Sequence, residues 1–110
     1  MNITARRDSV ATIFDVSGDV DMSNSPELRK ALLDEIRKGK VSKVILNLTA
    51  VKYIDSSGVA SLVEGLKASR DMKSRLVLYG LSPSAREVLQ LSRLLKVFEV
   101  LDNEEQALAS

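Results

Sequence analysis

Apolar residues along the chain follow two alternating rhythms, short continuous runs and longer stretches with an apolar side chain every three or four positions. Val10 to Val16 reads Val-Ala-Thr-Ile-Phe-Asp-Val and predicts a strand closed by Gly18. Ile3 to Arg7 predicts a weaker strand before it, joined by a hairpin at Asp8-Ser9, so the opening of the fold is expected to be antiparallel. Ser25-Pro26-Glu27 then offers an N-cap, a proline at the first helical position and a carboxylate near the positive end of the helix dipole. Leu28, Ala31, Leu32 and Ile36 follow as one apolar stripe, and Gly39 is placed to end that helix in the left-handed conformation.

Lys43 to Leu48 predicts a strand whose Val44-Ile45-Leu46 centre is apolar on consecutive residues, the signature of a parallel strand covered on both faces. Val59, Leu62, Val63 and Leu66 predict a helix from about Ser57 to Arg70 with Glu64, Lys67 and Asp71 turned outward. Leu76 to Tyr79, ended by Gly80, is a further buried strand, so residues 43 to 80 form a β-α-β unit of the kind that crosses over right-handed. Ser82-Pro83 repeats the cap-plus-proline device and opens a helix carrying Ala85, Val88 and Leu89 inward; Leu94 falls opposite that stripe, so the helix is expected to end near Ser92. Val97 to Val100 predicts a last short strand and Asn103 to Ala109 a closing helix. The expected architecture is one α/β domain over residues 1–110, with a mixed, mostly parallel sheet of four to five strands, antiparallel only at its first, and about four helices.

Composition narrows the function more than the fold. The 110 residues are 45% hydrophobic, enough for one core, and 16 Lys and Arg against 15 Asp and Glu leave a formal charge of +1. The two signs are interleaved along the chain, which gives no sign of a nucleic-acid or anionic-membrane surface. No apolar run approaches the roughly 18 residues of a membrane span, and Arg6-Arg7 leads into Asp8 rather than an apolar signal core. With no Cys there is neither disulfide nor thiolate chemistry, and a cytoplasmic location is expected. With no His, a Ser-His-Asp triad is excluded and the usual general base is missing. No Gly-rich phosphate loop is present either, so neither an enzyme, a cofactor nor a metal site is expected.

One run stands where α/β sheets place their sites. Asp55-Ser56-Ser57-Gly58 follows the 43–48 strand and opens the next helix, at the carboxyl end of the sheet. Ordinary capping by Asp55 or Ser56 accounts for these residue types. The alternative is an acceptor: unpaired N–H groups and the positive dipole end would tolerate a phosphate on Ser56, which would add about 1.5 to 2 negative charges beside Asp55 and repel an acidic partner surface.

Tyr53-Ile54-Asp55-Ser56-Ser57-Gly58-Val59, after Val44-Ile45-Leu46-Asn47-Leu48, resembles the hallmark of the STAS family, the sulphate-transporter and anti-sigma-factor-antagonist domain. Ser17-Gly18-Asp19-Val20-Asp21 is similar to that family's Gly-Glu-Leu-Asp segment, and Leu81-Ser82-Pro83 to its entry into the third helix. The resemblance implies a binding module that captures an anti-sigma factor serine kinase, frees a sigma factor, and is switched off when the kinase phosphorylates the first Ser of the motif, here Ser56; a PP2C-type phosphatase would reverse it. It further implies that Asp21 and Asp55 flank the acceptor, that Asn47 lies near the floor of the site, and that Ser57 and Gly58 begin a partner-facing helix. Met22, Ser23 and Asn24 are expected on the same face, since the chain from Gly18 to Ser25 returns to that end of the sheet. As structural alternatives, Asp21 would be a turn or cap residue and Asn47 a partner for buried backbone.

Two departures from the family pattern are Val59-Ala60 after the motif and Arg93 where a Gly often ends the third helix. The same fold also serves as an adaptor subunit on lipid-type ABC transporters, which is the second functional reading; a nucleotide-binding or hydrolytic enzyme, resting only on hydroxyl and acidic groups near one loop, is the third. The oligomeric state is left open.

Overall fold

The computed structural model describes residues 1–110. In chain order it contains β1 (Asn2–Arg7), β2 (Ala11–Ser17), α1 (Ser25–Lys38), β3 (Lys43–Ala50), α2 (Ser56–Asp71), β4 (Arg75–Tyr79), α3 (Pro83–Leu91), β5 (Glu99–Leu101) and α4 (Glu104–Ala109). The strands form one five-stranded sheet in the order β1-β2-β3-β4-β5. Only β1 and β2 are antiparallel, joined at Asp8, whose carboxylate accepts from the amides of Val10 and Ala11 and so fixes the hairpin. The other three pairings are parallel, as the consecutive apolar centre of β3 requires.

Because β2 to β5 step across the sheet in one direction, crossovers of one hand must leave α1, α2 and α3 on the same face. Phe14, Val16, Val44, Leu46, Leu48, Leu76 and Leu78 face those helices and meet Leu28, Leu32, Leu62, Leu66 and Leu89 in the main core. The alternate residues Ile13, Ile45, Val77 and Tyr79 form a smaller cluster on the other face, covered by α4 through the fully buried Ala107. Lys43, which opens β3, is buried there because its ammonium donates to the carbonyls of Ala107, Leu108 and Ser110 at 2.9, 3.1 and 2.9 Å, closing the end of α4.

Several boundaries differ from the sequence reading for identifiable reasons. The N-cap of α1 is Asn24, not Ser25, and its side chain makes no cap bond, being turned back to accept from the Asp21 amide and donate to the Asp19 carbonyl. Ser25 is buried, with its carbonyl accepting from Ser61 of α2. Ala31 is only half-buried, whereas Leu33 and Glu35 of the same helix are buried. The last strand is Glu99–Leu101 rather than Val97 to Val100, because Phe98 turns into the main core before the chain reaches β4.

Glu35 is buried between α1 and the hairpin. Arg7 holds it through bonds at 3.0 Å to both carboxylate oxygens, Thr12 donates at 2.6 Å, and together they pull its carboxyl from 4.5 down to about 2 against the opposing effect of burial. A carboxyl depressed on folding contributes stability above its unfolded value and loses it as pH falls towards its folded one. Stability is therefore expected to fall between pH 4.5 and about 2. Glu35→Gln should be less stable than wild type at neutral pH and lose less over that window, as urea melts at each pH will show.

Helix α3 ends as expected, with Ser92 as C-cap. The chain reverses because Leu94 donates to the Leu89 carbonyl at 2.8 Å, which forces Arg93 to φ +60°. A non-glycine residue in this conformation costs about 1–2 kcal/mol, against about 0.5–1 kcal/mol of extra chain entropy for glycine. Arg93→Gly is therefore expected to stabilise the fold by about 0.5–1 kcal/mol, read as a raised urea midpoint.

Candidate functional site

Beyond the end of β2 the chain rejoins the sheet at one point. Val20 pairs in parallel with Ile54, its N–H donating to the Tyr53 carbonyl at 3.0 Å and its carbonyl accepting from the Asp55 amide at 3.1 Å. Val20 and Ile54 are both fully or almost fully buried, so this junction is anchored in the core. It sets Asp21 beside Asp55.

Each of these carboxylates folds the chain after it in the same way. Oδ1 of Asp55 accepts from the Ser57 amide at 2.9 Å and the Ser57 hydroxyl at 2.5 Å, and also from the Gly58 amide at 3.0 Å. Oδ1 of Asp21 accepts from the Ser23 amide at 2.9 Å and the Ser23 hydroxyl at 2.6 Å. The two Asp-x-Ser turns leave the middle residue pointing outward, and those residues are Ser56 and Met22. Met22 is 77% exposed, and Ser56 is exposed with its hydroxyl bonded to no other protein group. The junction thus presents a free hydroxyl and an exposed apolar side chain, each next in sequence to a carboxylate.

The electrostatics follow from the same bonds. The Ser57 hydroxyl, the Gly58 amide and the Ser57 amide hold the Asp55 carboxyl below its usual value, with the Met22 amide adding to them. The Ser23 hydroxyl and amide do the same for Asp21, opposed by the neighbouring charge of Asp55. Both carboxylates are therefore ionised at neutral pH.

The two serines of the motif are not equivalent. Ser57 is half-buried and its hydroxyl is engaged as a donor to Asp55, whereas Ser56 is free. The helix N-terminus also differs from the open anion cradle expected from the sequence. Asp55 has taken the amides of Ser57 and Gly58, and its own carbonyl has taken that of Val59, so only the Ser56 N–H of the first turn is left over. A phosphate on Ser56 would project from this helix rather than nest in it.

Gly58, expected among the partner contacts, is buried and offers no surface. A Cβ there would come within 2.5 Å of Ile54 Cγ1 and 2.8 Å of Val20 Cγ1. Its part is to let the first turn of α2 settle onto the junction. Asn24 is half-buried and works inside the Asp21 turn, as described for α1, while Ser23 and Ser57 are turn-forming as well as near the surface.

Asn47 does not lie beneath Ser56. It shares the Ile45 face of β3, on the α4 side of the sheet, where its amide donates to Asp15 at 2.8 Å and its oxygen accepts from the amide and hydroxyl of Thr49. Sequence reasoning missed Tyr53, which is 47% exposed next to the junction. Its signal was present: Ile54 had to point inward, so its neighbour on an extended segment had to point out. The structure contains no group of three Asp or Glu side chains placed to hold a metal ion, and no helix long and apolar enough to cross a membrane.

Comparison with known proteins agrees with this architecture. Residues 2–107 match the family model of the STAS domain. The Bordetella bronchiseptica protein BtrV, assigned as an anti-sigma factor antagonist, is 31% identical over 110 residues, covering all of this chain and 94% of that one. The anti-sigma-B factor antagonist of Listeria monocytogenes is 31% identical over 86 residues, 77% of this chain and 74% of the relative. Among solved structures, the anti-sigma factor antagonist SpoIIAA in its unphosphorylated form superposes with a TM-score of 0.83 at 23% identity, covering 97% of this chain and 93% of SpoIIAA. The phosphorylated form of the Bacillus cell-fate determinant SpoIIAA superposes with a TM-score of 0.76 at 23% identity, covering 98% and 97%. At these identities the two structures speak to the fold.

Proposed function

This chain belongs to the STAS domain family, and from that premise we propose that it is an anti-sigma factor antagonist whose unphosphorylated form binds an anti-sigma factor kinase and whose binding is cancelled by a phosphate on Ser56. The observation that carries this reading is the contrast between the two serines: Ser56 is exposed and unbonded, while Ser57 is committed to Asp55. The domain is read as the whole of residues 1–110, acting in the cytoplasm by binding and without catalysis of its own.

Asp21, Met22, Ser23, Asn24, Asp55, Ser56 and Ser57 build the face that meets the kinase, in unequal roles, with Gly58 buried beneath it. Met22 is the apolar contact, with Tyr53 exposed at the same junction, and an exposed thioether of this kind adapts well to a partner's surface when docking buries it. Asp21 and Asp55 shape the turns and supply negative charge that favours a cationic rim on the partner. Attraction to a cationic rim would survive phosphorylation, so the phosphate works at short range. It stands at the junction of two ionised carboxylates with most of the first-turn amides already taken, and docking would strip its water without replacing it. A PP2C-type phosphatase would restore binding by hydrolysing the exposed ester.

Calorimetric titration of the kinase with unmodified and Ser56-phosphorylated chain tests the proposal. Tight binding by the first and none by the second is expected; equal affinities would overturn the switch. Nothing in the geometry favours the transporter-adaptor reading over this one.

A further inference from the structure

Formal charge is nearly balanced over the chain, +1 in all, yet the fold sorts it between the two ends of the sheet. The Ser56 end carries Asp19, Asp21, Asp55 and Asp102 against Lys52 of the loop after β3. At the opposite end, where α1, α2 and α3 finish and β3 and β4 begin, stand Lys40, Arg70, Lys73, Arg93 and Lys96. All five are exposed, and none enters an ion pair. Acidic side chains are fewer here and largely engaged: Asp8 is bound to the hairpin amides and Glu99 to Arg75, leaving Asp71 at the end of α2.

Part of this sorting is helix physics, since cations are favoured at helix C-termini and all three of these helices end on one side. That accounts for Arg70. It does not account for Lys40 and Lys96, which lie in loops beyond the helices, nor for the backbone of Lys73 and Arg93. Those two residues hold φ of +55° and +60°, a conformation in which glycine would cost less. At both turns the chain keeps a cation at the expense of stability.

The same end is concave and partly apolar. A cavity of about 400 Å³ is walled by the Ser9-Val10 turn, the loop from Gly39 to Ser42 and the turn from Met72 to Ser74. A second, of about 310 Å³, is lined by Gln90, Arg93, Leu95 and Lys96. A smaller recess of about 140 Å³ between them shares Ser74 with the first and reaches Arg70 and Val97. Val10, Met72, Leu91 and Val97 are exposed along this run, at 56%, 44%, 77% and 42%.

We propose that this end of the sheet is a docking surface for an extended acidic peptide segment, bearing apolar side chains, of a partner protein, and that it is used independently of the state of Ser56. A single small anion would leave most of these cations unmet, whereas an extended segment meets them in turn and seats apolar side chains against Val10, Met72 and Leu91. A flat anionic membrane fits less well, because the cations and apolar groups surround recesses rather than crown a convex face.

The test uses two short synthetic glutamate-rich peptides, one carrying leucines and one with those leucines replaced by glycine, titrated into the isotope-labelled chain by NMR. The expected result is shifts at Lys40, Lys73 and Arg93 with none at Ser56, binding that weakens with added salt, and tighter binding of the leucine peptide. Combining Lys40→Glu with Lys73→Glu, both on exposed side chains, should weaken that peptide about tenfold or more and leave the melting temperature nearly unchanged. Equal binding of the two peptides, shifts centred on the Ser56 end, or an unaffected charge-reversed variant would each overturn the proposal. So would capture of the chain by phosphatidylserine vesicles in preference to the peptide, which would make the surface a membrane contact.

Discussion

Ser56→Asp is expected to weaken binding to the kinase by about 30-fold or more, because a charge left unpaired in a protein interface costs about 2–5 kcal/mol. Ser56→Ala is expected to bind as tightly as wild type and to stay bound in the presence of ATP. The asymmetry follows from the geometry. The Ser56 hydroxyl bonds to nothing in the fold, so removing it leaves no orphaned partner, while an added carboxylate meets Asp21 and Asp55, both ionised, and finds the amides of Ser57 and Gly58 already bonded. Neither substitution should move the melting temperature appreciably, which separates a binding effect from a folding one. Surface plasmon resonance with the immobilised kinase reads both; unchanged affinity of Ser56→Asp would argue that the phosphate acts elsewhere.

The second large effect is structural. Gly58→Ala is expected to destabilise the domain by about 1–3 kcal/mol, the usual cost of forcing an extra methyl group into a packed site. The methyl would meet Ile54 Cγ1 at 2.5 Å and Val20 Cγ1 at 2.8 Å, atoms close to the backbone of stiff, β-branched side chains that have little room to yield. Since these are the residues that pair to bring Asp21 beside Asp55, relief of the clash would displace the Asp21 turn and Met22 with it. Gly58→Ala should therefore lose both a lower urea midpoint's worth of stability and affinity for the kinase. If it melted as wild type and still failed to bind, Gly58 would itself be a contact, contrary to its buried position.

Much of the architecture was legible because local signals agreed with it. Pro26 and Pro83 punctuate the chain where α1 and α3 begin, Gly39 and Gly80 where α1 and β4 end, and the consecutive apolar centre of β3 identified a covered parallel strand. Boundaries slipped where a side chain had a better partner elsewhere, as with Asn24, whose amide serves the Asp21 turn instead of capping α1. The motif from Asp55 to Gly58 was visible as a run of residues, but not its division of labour. Nothing in the letters distinguishes a free Ser56 from a bonded Ser57, or tells that the Asp55 carboxylate consumes the very amides that would have cradled a phosphate.

Two further features depend on long-range contacts. Asp21-Met22-Ser23 repeats the Asp-x-Ser spacing of Asp55-Ser56-Ser57, yet the repeat gains meaning only once Val20 and Ile54 pair. The interleaved charges of the sequence become separated because every crossover helix runs the same way against the sheet, so side chains distant in the chain collect at common ends.

The central claim is that Ser56, and not Ser57, receives the phosphate. It is tested most directly by incubating the chain with the anti-sigma kinase and ATP, and mapping the modified residue by fragmentation mass spectrometry. Phosphate on Ser56 alone, abolished in Ser56→Ala and retained in Ser57→Ala, is the expected result. Phosphate on Ser57, or an unmodified Ser56 beside a kinase shown to be active, would contradict it.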